Sequence, residues 1–386
     1  MKWHTPASKH IFSVSQNRSI TSATIKYTSF KQEEINMLQR ICMLFCAFSL
    51  IAAIAFAQPA PAPQGPPPKG SGPYPAVMEG DPGVPGHTIY RPENLGSFDK
   101  KNLLPVVAWG NGGCANSNQF YIPFLAEIAS QGFLVVAIGP YSAPGGAPAG
   151  GGMGGGMGGG TKSAQLLEAV DWATAENQRK DSKYFGKVDP SKFAVFGHSC
   201  GGLQALEVAP DPRVSSILVM DSGLFGPGGA PKMGAPKVGA PPPTGAQQPG
   251  TPPAGAPQGK TPQGKTPQGK TPPGGMMMAM PAVGKEVLQK LHSPVIYIVG
   301  GEKDIAYPQA IDDFDKIDKV PVAMANLDVG HGGTYSQPNG GEFGRVSVAW
   351  LKWTLKKDET AGKMFSGPSC GLCKDSSWKF EKKNMP

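Results

Sequence analysis

The sequence predicts an α/β fold, a mostly parallel sheet with helices on both faces, interrupted by two disordered insertions. Three observations carry that expectation. Short, continuously apolar runs such as LPVVAWG (104–110), FLVVAIG (133–139) and PVIYIVG (294–300) read as strands buried on both faces, as strands of a parallel sheet are. Segments with apolar residues at helical spacing separate them, Leu166, Val170 and Ala173 among them, so strand and helix alternate. Two blocks, 144–160 (PGGAPAGGGMGGGMGGG) and 226–281, which is rich in Pro, Gly, Ala and Lys with three tandem copies of QGKTP, have no apolar face to bury. Each follows a strand, at the carboxyl edge where sites form in such sheets.

The elements follow in order. Residues 1–36 are polar and precede Met37, where translation is expected to begin. Residues 37–57 place Arg40 before an apolar run ending in Ala55-Phe56-Ala57, the pattern of a cleaved secretion signal. The alternative, a membrane anchor, is disfavoured because the run from Ile41 to Ala57 has 17 residues, short for a span. Cys46 follows Phe45, which disfavours lipidation. After a Pro-rich linker (58–75), the α/β domain is expected over 76–360. Its strands fall at 104–110, 133–139, 192–197, 215–221, 294–300 and 322–329; its helices fall at 116–131, 161–177, 200–208, near 310–317 and 342–355. A tail, 361–386, carries Cys370 and Cys373. The expected compartment is therefore secreted or periplasmic, with no stable membrane insertion once the signal is cleaved.

Composition excludes one class of partner. The chain has 53 glycines and 41 prolines in 386 residues, so the folding part is shorter than the whole. Of the net charge of +8, residues 1–57 hold +4 and residues 226–281 hold +5, leaving −1 elsewhere. No basic stripe with interleaved aromatics remains to bind nucleic acid.

The chemistry centres on FAVFGHSCGG (193–202). Gly197-His198-Ser199-Cys200-Gly201 satisfies G-x-S-x-G, whereas a frame centred on Cys200 would need glycine where His198 stands. The pattern sets Ser199 on a sharp strand-to-helix turn as nucleophile. A serine hydroxyl needs a base, and the base needs an orienting carboxylate. Gly301-Glu302-Lys303-Asp304 follows the strand 294–300, and Gly330-His331-Gly332-Gly333 follows the strand 322–329. The chain order Ser199, Asp304, His331 suits the arrangement, with Asp221 the second choice of acid. His198 should point away from Ser199, His292 should lie on the surface, and Glu302 should cap or face solvent. An oxyanion pocket is expected from the N–H of Cys200 and a donor in Trp109-Gly110-Asn111-Gly112-Gly113: Asn111, or alternatively Gly112. Trp109, Tyr121 and Tyr141 are candidate pocket walls, or ordinary packing.

From about Tyr74 to Leu355, less the insertions, the chain resembles secreted α/β-hydrolases of the dienelactone hydrolase, chlorophyllase and polyester hydrolase type, through GHSCGG, GGEKD, VGHGG and the WGNGG loop. The resemblance implies the α/β-hydrolase fold and a Ser-Asp-His triad without metal or organic cofactor. It also implies hydrolysis of a carboxylic ester substrate through an acyl-enzyme. A serine peptidase or acyltransferase on the same fold, or a non-catalytic surface protein, are the alternatives. Building the oxyanion pocket in such a fold brings Cys114 and Cys200 together, so a Cys114–Cys200 disulfide is expected, against free buried thiols. Cys370 and Cys373 are expected to pair locally, since no second pair or nearby histidine completes a metal site.

Overall fold

A computed structural model describes residues 67–142, 160–226, 281 and 283–385. In chain order the elements are β1 (Ala76–Glu79), β2 (His87–Pro92), β3 (Leu104–Gly110), α1 (Ile122–Ser130), β4 (Leu134–Ile138), α2 (Ala164–Gln178), β5 (Val188–His198), α3 (Cys200–Val208), β6 (Val214–Met220), β7 (Val295–Val299), α4 (Tyr307–Lys316), β8 (Val322–Leu327), α5 (Gly341–Lys356), α6 (Glu359–Gly362), α7 (Gly371–Lys374) and β9 (Trp378–Lys383). The strands form one sheet in the order β1-β2-β4-β3-β5-β6-β7-β8-β9. Strands β3 to β8 are parallel; β1, β2 and β9 run antiparallel at the two edges.

Side chains alternate across each strand, and the two cores show it. Val106, Ala108, Val136 and Val195 face Leu166 and Val170 of α2, Leu206 of α3 and Phe314 of α4. Val107, Trp109, Val135 and Phe196 face Phe124 and Ile128 of α1 and Val346, Trp350 and Leu351 of α5. Helices thus cover both faces, and β3, β4, β7 and β8 are buried throughout. That double burial is why these strands read as unbroken apolar runs.

Three elements depart from expectation. The helix expected over 116–131 begins at Ile122, after a 3-10 turn at Gln119–Tyr121. Pro123 lies in its first turn, where a missing N–H costs nothing. Phe120, inside the expected span, falls before the helix and is exposed. The 361–386 segment, read as a tail, returns to the sheet: β9 pairs with β8 along Val322–Leu327. It closes the edge with Lys379, Lys382 and Lys383, charges that discourage further strand pairing. The short antiparallel pair β1–β2 was also not expected.

The N-terminal segment (1–36), the expected signal segment (37–57), the first half of the linker (58–66 of 58–75) and almost all of both insertions lie outside the described residues. Among the described residues no helix is long and apolar enough to cross a membrane. The neck of the second insertion is described on both sides. Asp313 on α4 accepts the Leu224 N–H at 2.7 Å through Oδ2 and the Lys285 ammonium at 2.7 Å through Oδ1. One buried carboxylate therefore holds both ends of the 227–280 segment.

The chain passes from β3 to β4 on one side and then to β5 on the other. In sheets of this kind ligands bind beyond the carboxyl ends of the strands at such a switch, here those of β3 and β5.

Candidate active site

Ser199 sits at that switch, between the end of β5 and the start of α3, with φ 52° and ψ −116°. A positive φ is uncommon for a residue with a Cβ and stores strain. Hydrogen bonds hold it there: Ser199 N–H donates to Met220 O at 2.9 Å, and Ser222 Oγ donates to Ser199 O at 2.7 Å. Glycine is required alongside. A Cβ on Gly201 would lie 2.1 Å from the Gly110 carbonyl oxygen, so the start of α3 can rest against the end of β3 only without one.

The loops after β7 and β8 supply the partners. Ser199 Oγ lies 3.1 Å from His331 Nε2, and His331 Nδ1 lies 2.6 Å from Asp304 Oδ1. Because Asp304 accepts at Nδ1, that nitrogen carries the proton, and Nε2 is left bare to accept from the serine hydroxyl. Asp304 also accepts the Ala306 N–H at 2.9 Å and the Gly300 N–H at 3.2 Å. Burial pushes this carboxyl up, but the hydrogen bonds from His331 and Ala306 and its interaction with Asp221 outweigh it and hold it at about 2. It is ionised at neutral pH.

Cys114 and Cys200 form a disulfide with Cα atoms 5.2 Å apart. It bolts the loop after β3 to the first residue of α3, whose N–H belongs to the helical turn that lacks intrahelical acceptors. The side chain of Asn111 is fully committed: Oδ1 accepts from Trp109 Nε1, while Nδ2 donates to Ala115 O and Ile138 O, each at 2.8 Å. Asn111 thereby shapes the loop and can offer only its main-chain N–H to a ligand. The N–H of Gly112, the alternative donor, is used by Tyr121 Oη at 3.0 Å.

Of the candidate pocket walls, Trp109 and Tyr121 are core residues, buried against each other and against Phe124 or Tyr335; Tyr141 is half-buried. His292 is exposed, and Glu302 is an exposed partner of Lys379. Cys370 and Cys373 are bridged at α7.

The residue type whose role sequence reasoning missed is His198. It is buried and makes no bond to Ser199, yet its Nε2 lies 2.8 Å from the His331 carbonyl oxygen and its Nδ1 lies 2.8 Å from Tyr121 Oη. Donation to the carbonyl puts the proton on Nε2, so Nδ1 accepts from the tyrosine. A hydrogen-bond chain thus runs from Gly112 N–H through Tyr121 and His198 to the loop that carries His331. Burial pushes His198 down to about 4, despite its bond to the His331 carbonyl, so it works as a neutral strut. Nothing in the sequence around Tyr121 marks this role, which exists only because β3 and β5 are neighbours.

Among the described residues no group of three or more His, Cys, Asp or Glu side chains gathers as a metal site. No protein-family model matches the chain, and no curated protein matches it.

Proposed function

We propose that this protein is a secreted or periplasmic serine hydrolase of the α/β-hydrolase fold that cleaves carboxylic esters. The observation that carries the reading is the row Ser199 Oγ, His331 Nε2, His331 Nδ1, Asp304 Oδ1, with contacts of 3.1 and 2.6 Å. In it, Ser199 Oγ attacks the ester carbonyl carbon as His331 Nε2 takes the hydroxyl proton. Asp304 stabilises the imidazolium so formed. The tetrahedral oxyanion is received by the Cys200 N–H and a main-chain N–H of the Asn111 loop, each worth about 3 kcal/mol to the transition state in sites of this kind. His331 then delivers its proton to the leaving alcohol, and water repeats the sequence on the acyl-enzyme.

Two further observations support the reading. The loops bearing acid and base also carry Ile305 and Val329, large apolar side chains that are 64% and 41% exposed, which suits an ester with an apolar part. Two disulfides suit an oxidising compartment.

A fluorophosphonate probe tests the mechanism. Label on the Ser199 peptide, lost in Ser199→Ala and kept in Cys200→Ser, is the expected result; label elsewhere, or surviving in Ser199→Ala, refutes it. Nitrophenyl esters of increasing acyl length, run beside matched amides, then separate an esterase from a peptidase.

A further inference from the structure

Asp221 follows the last residue of β6 and is wholly buried, with a φ of 43° in the left-handed region. Its Oδ2 accepts from Tyr335 Oη at 2.8 Å, while its Oδ1 has no donor among the described residues. The carboxyl beside it is that of Asp304: Asp221 N–H donates to Ile298 O of β7 at 2.8 Å, and two residues further along, Gly300 N–H donates to Asp304 Oδ2 at 3.2 Å, so the two carboxyls interact at the same strand end. The other titratable groups facing it are Tyr121 and His198. The His198 Nε2 stands 3.7 Å from Oδ2 but gives its proton to the His331 carbonyl, and His198 is neutral. Two buried carboxylates side by side, with no lysine or arginine paired to either among the described residues, cannot both be ionised. One proton between them removes the repulsion and satisfies the orphaned oxygen.

We propose that Asp221 is the un-ionised half of a carboxylic acid–carboxylate pair, a positioning residue that donates its proton in a hydrogen bond to Asp304 and so fixes the acceptor of His331. Asp304 is the half that keeps the charge, because it alone also receives the imidazole N–H and the Ala306 N–H. Burial and the neighbouring carboxylate push Asp221 well above the ordinary carboxyl range, in the same direction. The inference rests on the triad reading.

The test compares Asp221→Ala, Asp221→Asn and Asp304→Asn by kcat/KM on a nitrophenyl ester across about pH 5 to 9, where the acid limb reports the base. Phosphonate labelling of Ser199 serves as the reference. Asp221→Ala is expected to lose about tenfold or more, the worth of a hydrogen bond to a charged group. Its acid limb should move to higher pH, because Asp304 without its donor pulls harder on the His331 proton. Asp221→Asn still donates through its amide and is expected to recover most of that loss, with the acid limb in place. An Asp221→Asn limb that moves to lower pH, or activity as low as that of Asp304→Asn, means that Asp221 is ionised and overturns the pair. So does an Asp221→Ala profile identical to that of the unmutated protein. Should the alanine variant not fold, the direction of the asparagine limb decides alone. Absence of Ser199 labelling in the unmutated protein sinks the triad and this inference together, whereas labelling with a contrary Asp221 series sinks only the inference.

Discussion

Replacing Cys114 and Cys200 together by serine opens a covalent loop of 86 residues. In the chain-entropy account, closing a loop of that length withholds about 4.6 kcal/mol of disorder from the unfolded chain. For a folded part of about 250 residues the unfolding entropy is roughly 0.5 kcal/mol per kelvin, so the melting temperature should fall by about 9 °C. The bond also joins the Asn111 loop directly to Cys200, whereas the hydrogen bonds between them run through intermediates, Cys114 O to Thr161 at 3.0 and 3.1 Å and Thr161 to Gln204 of α3 at 2.9 and 3.0 Å. We therefore expect kcat on a small ester to fall more than KM rises, the sign of a contact made in the transition state. Differential scanning calorimetry without reductant and steady-state kinetics at 25 °C measure both. A melting shift under about 2 °C, well below the chain-entropy value, together with unchanged kcat would refute the clamp and assign the loop geometry to its hydrogen bonds.

Two other outcomes are open to direct measurement. His198 is held neutral down to about pH 4, while in the unfolded chain it takes a proton near 6.5. Its folded value is the lower one, so stability is lost as pH falls from 6.5 toward 4, by about 3 kcal/mol at most. Urea unfolding at both ends of that window should show a smaller loss in His198→Gln, and an equal loss rejects the neutral strut. Replacing residues 227–280 by a short Gly/Ser linker should leave melting temperature and small-ester turnover nearly unchanged, because Leu224 and Lys285 already meet at Asp313 and extra loop length costs little. Collapse of folding would mean that the segment contributes packing of its own.

The periodicity of the chain determined the α/β class, because a strand buried on both faces must be apolar throughout and a helix on a sheet must be apolar on one stripe. Within its local motifs the elbow glycines, Asp304 after β7 and His331 after β8 were equally legible, since a sharp turn and a strand-end loop each demand particular residues nearby. The edge strands were less so: β9 alternates Trp378 and Phe380 with lysines, but six residues half exposed to solvent carry a weak signal. What the sequence could not decide is how distant groups share protons. His198 looks like a filler of the elbow pattern until β3 lies beside β5 and Tyr121 meets its ring. Asp221 looks like a second choice for the triad acid until β6 and β7 pair in register and set its carboxyl against that of Asp304. Spacing along the chain reports which side chains share a face; protonation depends on burial and on neighbours brought from other strands, and those distances exist only after the sheet has assembled.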